Sequence, residues 1–239
     1  MRPLPHTTPA VLARMAGGLI VSCQARPDSP LHGPVFMAAM AKAAEDGGAV
    51  GVRLNGPDDI RAARTATALP IIGLFKRRTG RSPVEITPTF ADAAAVVEAG
   101  ADLVALDGTG RPRPDGMPLP ALIARIHEEL GVPVLADVAG VDDGLAAEDA
   151  GADAVATTLS GYVDPDLAPP EDPDLDLVAA LSGRLHVPVV AEGRIRTPTQ
   201  ARAALDRGAF AVVVGTAITN PREITRWFVR ALAAGERTR

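Results

Sequence analysis

With 239 residues, 47% of them hydrophobic, the chain has enough apolar material for a sizeable core, which excludes a disordered protein. A net charge of −5 argues against nucleic acid or an anionic membrane as partner. The single cysteine, Cys23, excludes an intrachain disulfide framework, and its place in an apolar run marks it as a buried thiol.

The chain begins MRPLPHTTPAVLARMAGG, with Pro3, Pro5, Pro9 and Arg14 where a secretory leader needs an unbroken apolar stretch. Residues 1–18 are therefore read as a short extra helix or cap. No apolar run approaches the ~20 residues of a membrane span, so the chain is expected to be soluble and cytoplasmic. Eight apolar runs follow: LIVSCQ (19–24), AVGVRL (49–54), PIIGLFK (70–76), DLVALDG (102–108), VPVLADV (132–138), DAVATTL (153–159), VPVVAEG (187–193) and FAVVVGT (210–216). Their spacing is that of a βα unit, and their near-continuous apolarity is that of parallel strands covered on both faces. Between them, stretches such as PDDIRAARTATAL, FADAAAVVEAG and PTQARAALDRGA repeat their apolar positions every three to four residues, as helices do. Pro57, Pro198 and Pro221 stand where a helix's first turn tolerates a missing N–H. A weak repeat, EAGADLVAL (98–106), EDAGADAVAT (148–157) and DRGAFAVVVG (206–215), ends a helix on glycine and starts the next strand at once. Residues 1–239 thus predict one (β/α)₈ TIM barrel domain. GYVDPDLAPPEDPD (161–174), after strand six, is the one long irregular segment, either a plain surface loop or an ordered lid.

In such barrels the site lies at the C-terminal ends of the strands. Those ends read Gln24, Arg53, Lys76, Asp107, Asp137, Thr157–Thr158, Glu192 and Gly215–Thr216. Gln24, Lys76, Asp137 and Glu192 come from strands one, three, five and seven, and alternate strands share a layer inside the barrel. Strands three and seven are opposite in an eight-membered ring, so Lys76 and Glu192 are expected to approach one small substrate from two sides. Bland readings exist for single members. Lys76 opens the basic run KRRTGR, Asp107 suits a cap on its own turn, and Asp137 suits a cap on the next helix. Gly193-Arg194 and Gly215-Thr216 are glycine-bearing turns after the last two strands, where many barrels present backbone amides to a phosphate. The four histidines, His6, His32, His127 and His186, form no ligand pattern, and no metal is expected.

These stretches resemble a known family. LIVSCQARPDSPLHGP (19–34), GGAVGVRLNG (47–56), LPIIGLFKR (69–77), VEITPTF (84–90), ADLVALDGTGRPRPDG (101–116), LADV (135–138), TTLSGY (157–162), VVAEGRIRTP (189–198) and AVVVGTAITNP (211–221) are similar to those of bacterial N-acetylmannosamine-6-phosphate 2-epimerases. The resemblance covers nearly the whole chain. It implies interconversion of N-acetylmannosamine 6-phosphate and N-acetylglucosamine 6-phosphate, without a cofactor, in sialic acid breakdown. It implies Lys76 and Glu192 as the catalytic pair and Gln24, Arg53 and Asp137 as substrate contacts. The phosphate falls on Gly193, Arg194, Gly215 and Thr216. One position departs: Asn220 stands where the family usually has an arginine implicated in phosphate binding, and with Glu223 three residues on it reads as a helix cap. The implied partner is a phosphorylated amino sugar, with a homodimer as the candidate assembly. Two rivals are another sugar-phosphate isomerase or synthase on the same barrel and a non-catalytic sugar-phosphate sensor. A sensor has no need of an acid/base pair on opposite strands.

Overall fold

Proline at helix starts and glycine at helix ends cut the chain into alternating helices and strands. The computed structural model describes residues 8–164, 166–168 and 170–235. In order these form α1 (Ala10–Ala13), β1 (Leu19–Cys23), α2 (Pro34–Asp46), β2 (Gly51–Asn55), α3 (Pro57–Ala66), β3 (Ile71–Leu74), α4 (Phe90–Glu98) and β4 (Leu103–Asp107). Then come α5 (Leu119–Arg125), β5 (Val134–Asp137), α6 (Val141–Asp149), β6 (Ala154–Ala156), α7 (Leu175–Arg184), β7 (Val189–Glu192), α8 (Pro198–Asp206), β8 (Ala211–Val214), α9 (Thr216–Thr219) and α10 (Pro221–Gly235). Pro34, Pro57, Pro198 and Pro221 each open their helix. Thr89 and Thr197 close capping boxes on α4 and α8 with Asp92 and Gln200.

The eight strands pair in parallel, in sequence order, into a closed barrel, with β8 returning to β1 through Ile20↔Val213 and its neighbours. The seams differ in length. β1 with β2, β2 with β3, and β4 with β5 match four residues each, but β3 with β4 and β6 with β7 match only two. Alternate residues point inward, so Ile20, Ile72, Leu103, Leu135, Val190 and Val213 fill the barrel interior. Leu12 of α1 and Met15 just after it join that interior cluster and are fully buried, each worth roughly 1.5–3 kcal/mol of burial. Met15 takes the room that a side chain at Gly51 would need, its Sδ lying 2.9 Å from where a Cβ would stand. The floor of the barrel is therefore apolar and filled. The first seven residues, His6 among them, lie outside the described residues.

On the outer face, small residues let the helices lie close. A Cβ on Gly73 of β3 would come within 2.5 Å of that of Ala101. Cys23 is buried under the helices, its thiol pushed up to about 12 by burial. One helix breaks the pattern. α10 leaves Phe228 68%, Val229 59% and Leu232 76% exposed. No helix among the described residues is long and apolar enough to cross a membrane.

Candidate active site

The inward parity of the strands, continued past their ends, brings the polar residues together. On β1 it runs Ile20, Ser22, Gln24, on β2 Gly51, Arg53, Asn55, and on β3 Ile72, Leu74, Lys76. On β5 and β7 it ends at Asp137 and Glu192, and past β6 it reaches Thr158. Arg53 lies in the body of β2, not at its end as expected, and is 1% exposed. Its Nη2 donates to Asp137 Oδ2 at 2.5 Å, and its Nη1 donates to Glu192 Oε2 and, at 3.2 Å, to Thr158 Oγ1. Thr158 in turn donates to Asp137 Oδ1 at 2.5 Å. Asp137 is thus bound into this network rather than capping the next helix, whose N-cap is Gly140. The Nε of Arg53 is buried and has no acceptor among the described residues. Behind the network, Thr157 Oγ1 accepts from the Glu192 amide at 3.0 Å and donates to the Glu192 carbonyl at 2.9 Å.

Lys76 comes to the same mouth from the other side. Its Nζ donates to Gln24 Oε1 at 2.8 Å, and Gln24 Nε2 donates to Ser22 Oγ at 2.9 Å. The residue stands past the end of β3 in a single antiparallel bridge with Ile86. Two further members of the basic run are paired: Arg77 with Asp92 at 2.9 Å and Arg78 with Glu85 at 2.7 Å. Asp107, by contrast, takes the bland role. Its Oδ1 accepts from the Thr109 amide at 2.9 Å and hydroxyl at 2.6 Å, and its Oδ2 binds Arg111.

The electrostatics push the two facing groups toward neutrality. Crowding by the strand ends, and then the Arg53 cation, lower the Lys76 pKa below the usual lysine value, against Glu192 and Asp137. Burial, and the nearby Asp137 charge, raise Glu192 above the usual carboxylate range, against Arg53, Lys76 and Thr158. Burial opposes the charge on Arg53, but its two carboxylates outweigh it and keep the guanidinium charged.

Comparison with known proteins bears on this constellation. The family described as "Putative N-acetylmannosamine-6-phosphate epimerase" matches residues 37–234. A Cutibacterium acnes protein described as "Putative N-acetylmannosamine-6-phosphate 2-epimerase" is 51% identical over 227 residues, 94% of this chain and 98% of its own. The N-acetylmannosamine-6-phosphate 2-epimerase structure from Clostridium perfringens superposes with a TM-score of 0.89 at 40% identity, over 96% of this chain and all of that one. The chain belongs to the N-acetylmannosamine-6-phosphate epimerase family. A thiamine phosphate pyrophosphorylase from Pyrococcus furiosus, at 20% identity and a TM-score of 0.60 over 90% of this chain and 93% of its own, shares the fold alone.

In this family member the turns after β7 and β8 differ from those after β2, β4 and β5. The residues just past β2, β4 and β5, namely Gly56, Gly108 and Val138, donate their amides to the neighbouring strand. Gly193, Arg194, Gly215 and Thr216 make no such backbone bond among the described residues. Gly193 has φ +116°, a conformation that disfavours any side chain, and Arg194 follows at φ +59°. The Arg194 guanidinium is engaged by the segment after β6. It donates to the carbonyls of Ser160 and, at 2.7 Å, Asp172, and lies 5.4 Å from the Tyr162 ring centroid. The 161–174 segment is thereby tied down, with Ser160 Oγ donating to Asp174 at 2.7 Å, although Pro165 and Pro169 lie outside the described residues. Asn220 caps α10, its Oδ1 accepting from the Glu223 amide at 3.2 Å, while Arg222 Nη2 binds Asp28 at 3.1 Å. His127 contacts Asp153 at 2.8 Å and His186 contacts Glu148 at 3.4 Å, and no metal-holding group exists among the described residues.

Two residues of the epimerase mouth carried no assigned role in the sequence. Thr158 stood out only as half of a threonine pair, and Asn55 not at all. The signal for Asn55 was its parity, two residues beyond Arg53 on the same face of β2.

Proposed function

We propose that this chain interconverts N-acetylmannosamine 6-phosphate and N-acetylglucosamine 6-phosphate by moving a proton off and onto C2. The observation that carries the reading is the pair Lys76 and Glu192, arriving from β3 and β7 on opposite sides of the ring and both driven toward their neutral forms. With C1 as the open-chain aldehyde, a base on one face takes the C2 proton, and the C–H electron pair moves onto the C1 oxygen as an enolate. The group on the other face then returns a proton to C2 with inverted configuration. In one resting state both groups are neutral, and afterwards both are charged with opposite sign, so the pair's net charge is the same before and after, and the +1 it carries in between is balanced by the enolate. The reverse direction exchanges their roles. Arg53, with its free Nε, is suited to the enolate oxygen, while Gln24 and Asp137 orient the hydroxyl and acetamido groups. The amides of Gly193, Arg194, Gly215 and Thr216 take the phosphate. Arg194 contributes its backbone only.

In this reading residues 1–239 are one catalytic domain, in the cytoplasm, serving sialic acid breakdown, and a second copy covers the apolar face of α10. That interface is tested by Phe228→Glu with Leu232→Glu, which should turn a dimer in sedimentation into a monomer. The activity is tested by proton NMR of N-acetylmannosamine 6-phosphate with the protein in D₂O. The product should carry deuterium at C2. Product that keeps its original C2 proton in a single turnover would sink the proton-transfer scheme.

A further inference from the structure

Lys76 stands two residues beyond the last ladder pair of its strand. β2 and β3 match as far as Asn55↔Leu74, and there the sheet stops. Past that pair, three successive amides find three different acceptors. Phe75 donates to Thr87 Oγ1 at 3.1 Å, Lys76 to Asn55 Oδ1 at 2.7 Å, and Arg77 to the Glu85 carbonyl at 2.9 Å. Thr87 is itself pinned, its hydroxyl donating to the Ala105 carbonyl at 2.6 Å and its backbone held at φ +46°. Of the three acceptors, only Asn55 belongs to β2. Its side chain does for Lys76 what a further ladder carbonyl would have done. The chain therefore stays extended and keeps the inward parity of Ile72 and Leu74. From there Lys76 Nζ reaches over β2 to Gln24 at the end of β1.

We propose that Asn55 is the positioning residue of Lys76: by holding the Lys76 amide it fixes the direction from which the amine meets C2 of the substrate. The inference rests on the epimerase reading for its substrate and on the hydrogen bonds above for everything else. Asn55 is half-buried, uncharged and within the mouth, where a wholly structural strand-end asparagine has no reason to bind the one amide that carries the lysine. The charged groups acting on the amine are Arg53 of β2, Glu192 of β7, Asp137 of β5 and Arg26 from the segment after β1. Releasing the backbone lets the amine leave Arg53 and the crowded strand ends, the two influences that lower its pKa most.

The experiment compares the full chain with Asn55→Ala and Asn55→Asp. Two readouts are taken: the pH dependence of Lys76 acetylation by trace acetic anhydride, followed by mass spectrometry without substrate, and kcat and KM for N-acetylmannosamine 6-phosphate. Asn55→Ala should lower kcat by about tenfold to a hundredfold, the scale of a mispositioned reacting group, with KM within about threefold. Its Lys76 labelling midpoint should move up toward that of an ordinary lysine. Asn55→Asp keeps an acceptor but adds a carboxylate, so its loss of kcat should appear at neutral pH and be recovered at alkaline pH. A wild-type labelling midpoint in Asn55→Ala overturns the proposal, and so does an Asn55→Asp as impaired as Asn55→Ala at every pH. If Asn55→Ala does not fold, the Asn55→Asp profile alone decides. If the unaltered protein leaves C2 of the substrate unexchanged in D₂O, the epimerase reading falls, while the labelling comparison still decides what Asn55 does to Lys76.

Discussion

Arg53 is held from three strands at once, by Asp137 on β5, Glu192 on β7 and Thr158 just past β6. Lys76, across the same mouth, touches one neutral amide, Gln24, and is otherwise carried by its backbone. The first arrangement fixes a charge. A guanidinium between two carboxylates in a buried site does not change its protonation, and it offers a constant field to whatever binds. The second leaves a charge free to come and go, which a proton carrier requires. A single mouth thus divides its cations by task, and the division is set by the partners each one has: two carboxyl groups for Arg53, none for Lys76.

Breaking the fixed side should have the largest effect. Asp137→Ala removes one carboxylate from a guanidinium that is 1% exposed, and losing one partner of a buried pair costs roughly 3–5 kcal/mol. Urea unfolding should show that loss, and a variant within about 0.5 kcal/mol of the parent would mean that Glu192 and Thr158 suffice for Arg53. Next in size is the mobile side. Lys76→Met and Glu192→Gln should each lower kcat by on the order of a hundredfold or more, the scale of a lost general acid or base. A Lys76→Met enzyme with half the normal kcat would end the assignment.

The same lysine variant sharpens the comparison through stability. Because the folded protein lowers the Lys76 pKa, the unfolded chain binds more protons between that lowered value and 10.5, so stability rises with pH across that window. Below it, the folded protein bears the charged lysine at a penalty that methionine lacks. Because the Lys76 side chain is solvent-exposed that penalty is small, so Lys76→Met should melt slightly higher than the parent at neutral pH, with the advantage shrinking as pH climbs toward 10.5. A gap that widens with pH would contradict the sign. The smallest effect is expected at the phosphate end. Asn220→Arg replaces a helix cap worth on the order of 1 kcal/mol with a side chain able to make a phosphate contact of roughly 1.5–3 kcal/mol. KM should fall several-fold at low salt, kcat should hold, and the melting temperature should drop slightly. An unchanged KM would show that position 220 faces away from the phosphate.

Much of this was legible in the chain. The eight apolar runs became the eight strands, each within a few residues, because strands covered on both faces announce themselves by composition. Gln24, Arg53, Lys76, Asp137 and Glu192 could be brought together because inward parity and strand order are local rules. Other features depended on distant partners. The engagement of Arg194 with the carbonyls of Ser160 and Asp172 joins segments that no periodicity connects. Lys76 is held by the Asn55 side chain and by a bridge with Ile86 across a loop, and its basic neighbours misleadingly suggest a bare patch. Thr158 and Asn55 are neutral side chains at strand ends, the same residue types that begin ordinary turns. Asp107 was the readable exception, since an aspartate two residues before a threonine is itself a turn signal.

The two short seams of the barrel have a consequence for how it breathes. β3 with β4 and β6 with β7 match only two residues each, and between them they divide the ring into an arc of β4 to β6 and an arc of β7 through β1 to β3. The larger arc holds Lys76, Arg53, Gln24 and Glu192. The smaller holds Asp137, with Thr158 just beyond β6. Transient opening would start where the fewest ladder bonds must break, and native-state hydrogen exchange should find the amides along these seams the first of the sheet to exchange. Each opening would part Arg53 from Asp137 while leaving the lysine and glutamate on one piece. Across the second seam, the Thr157 hydroxyl spans the gap by bonding both backbone groups of Glu192. One methyl-bearing alcohol thus acts as a latch on the protein's easiest line of fracture.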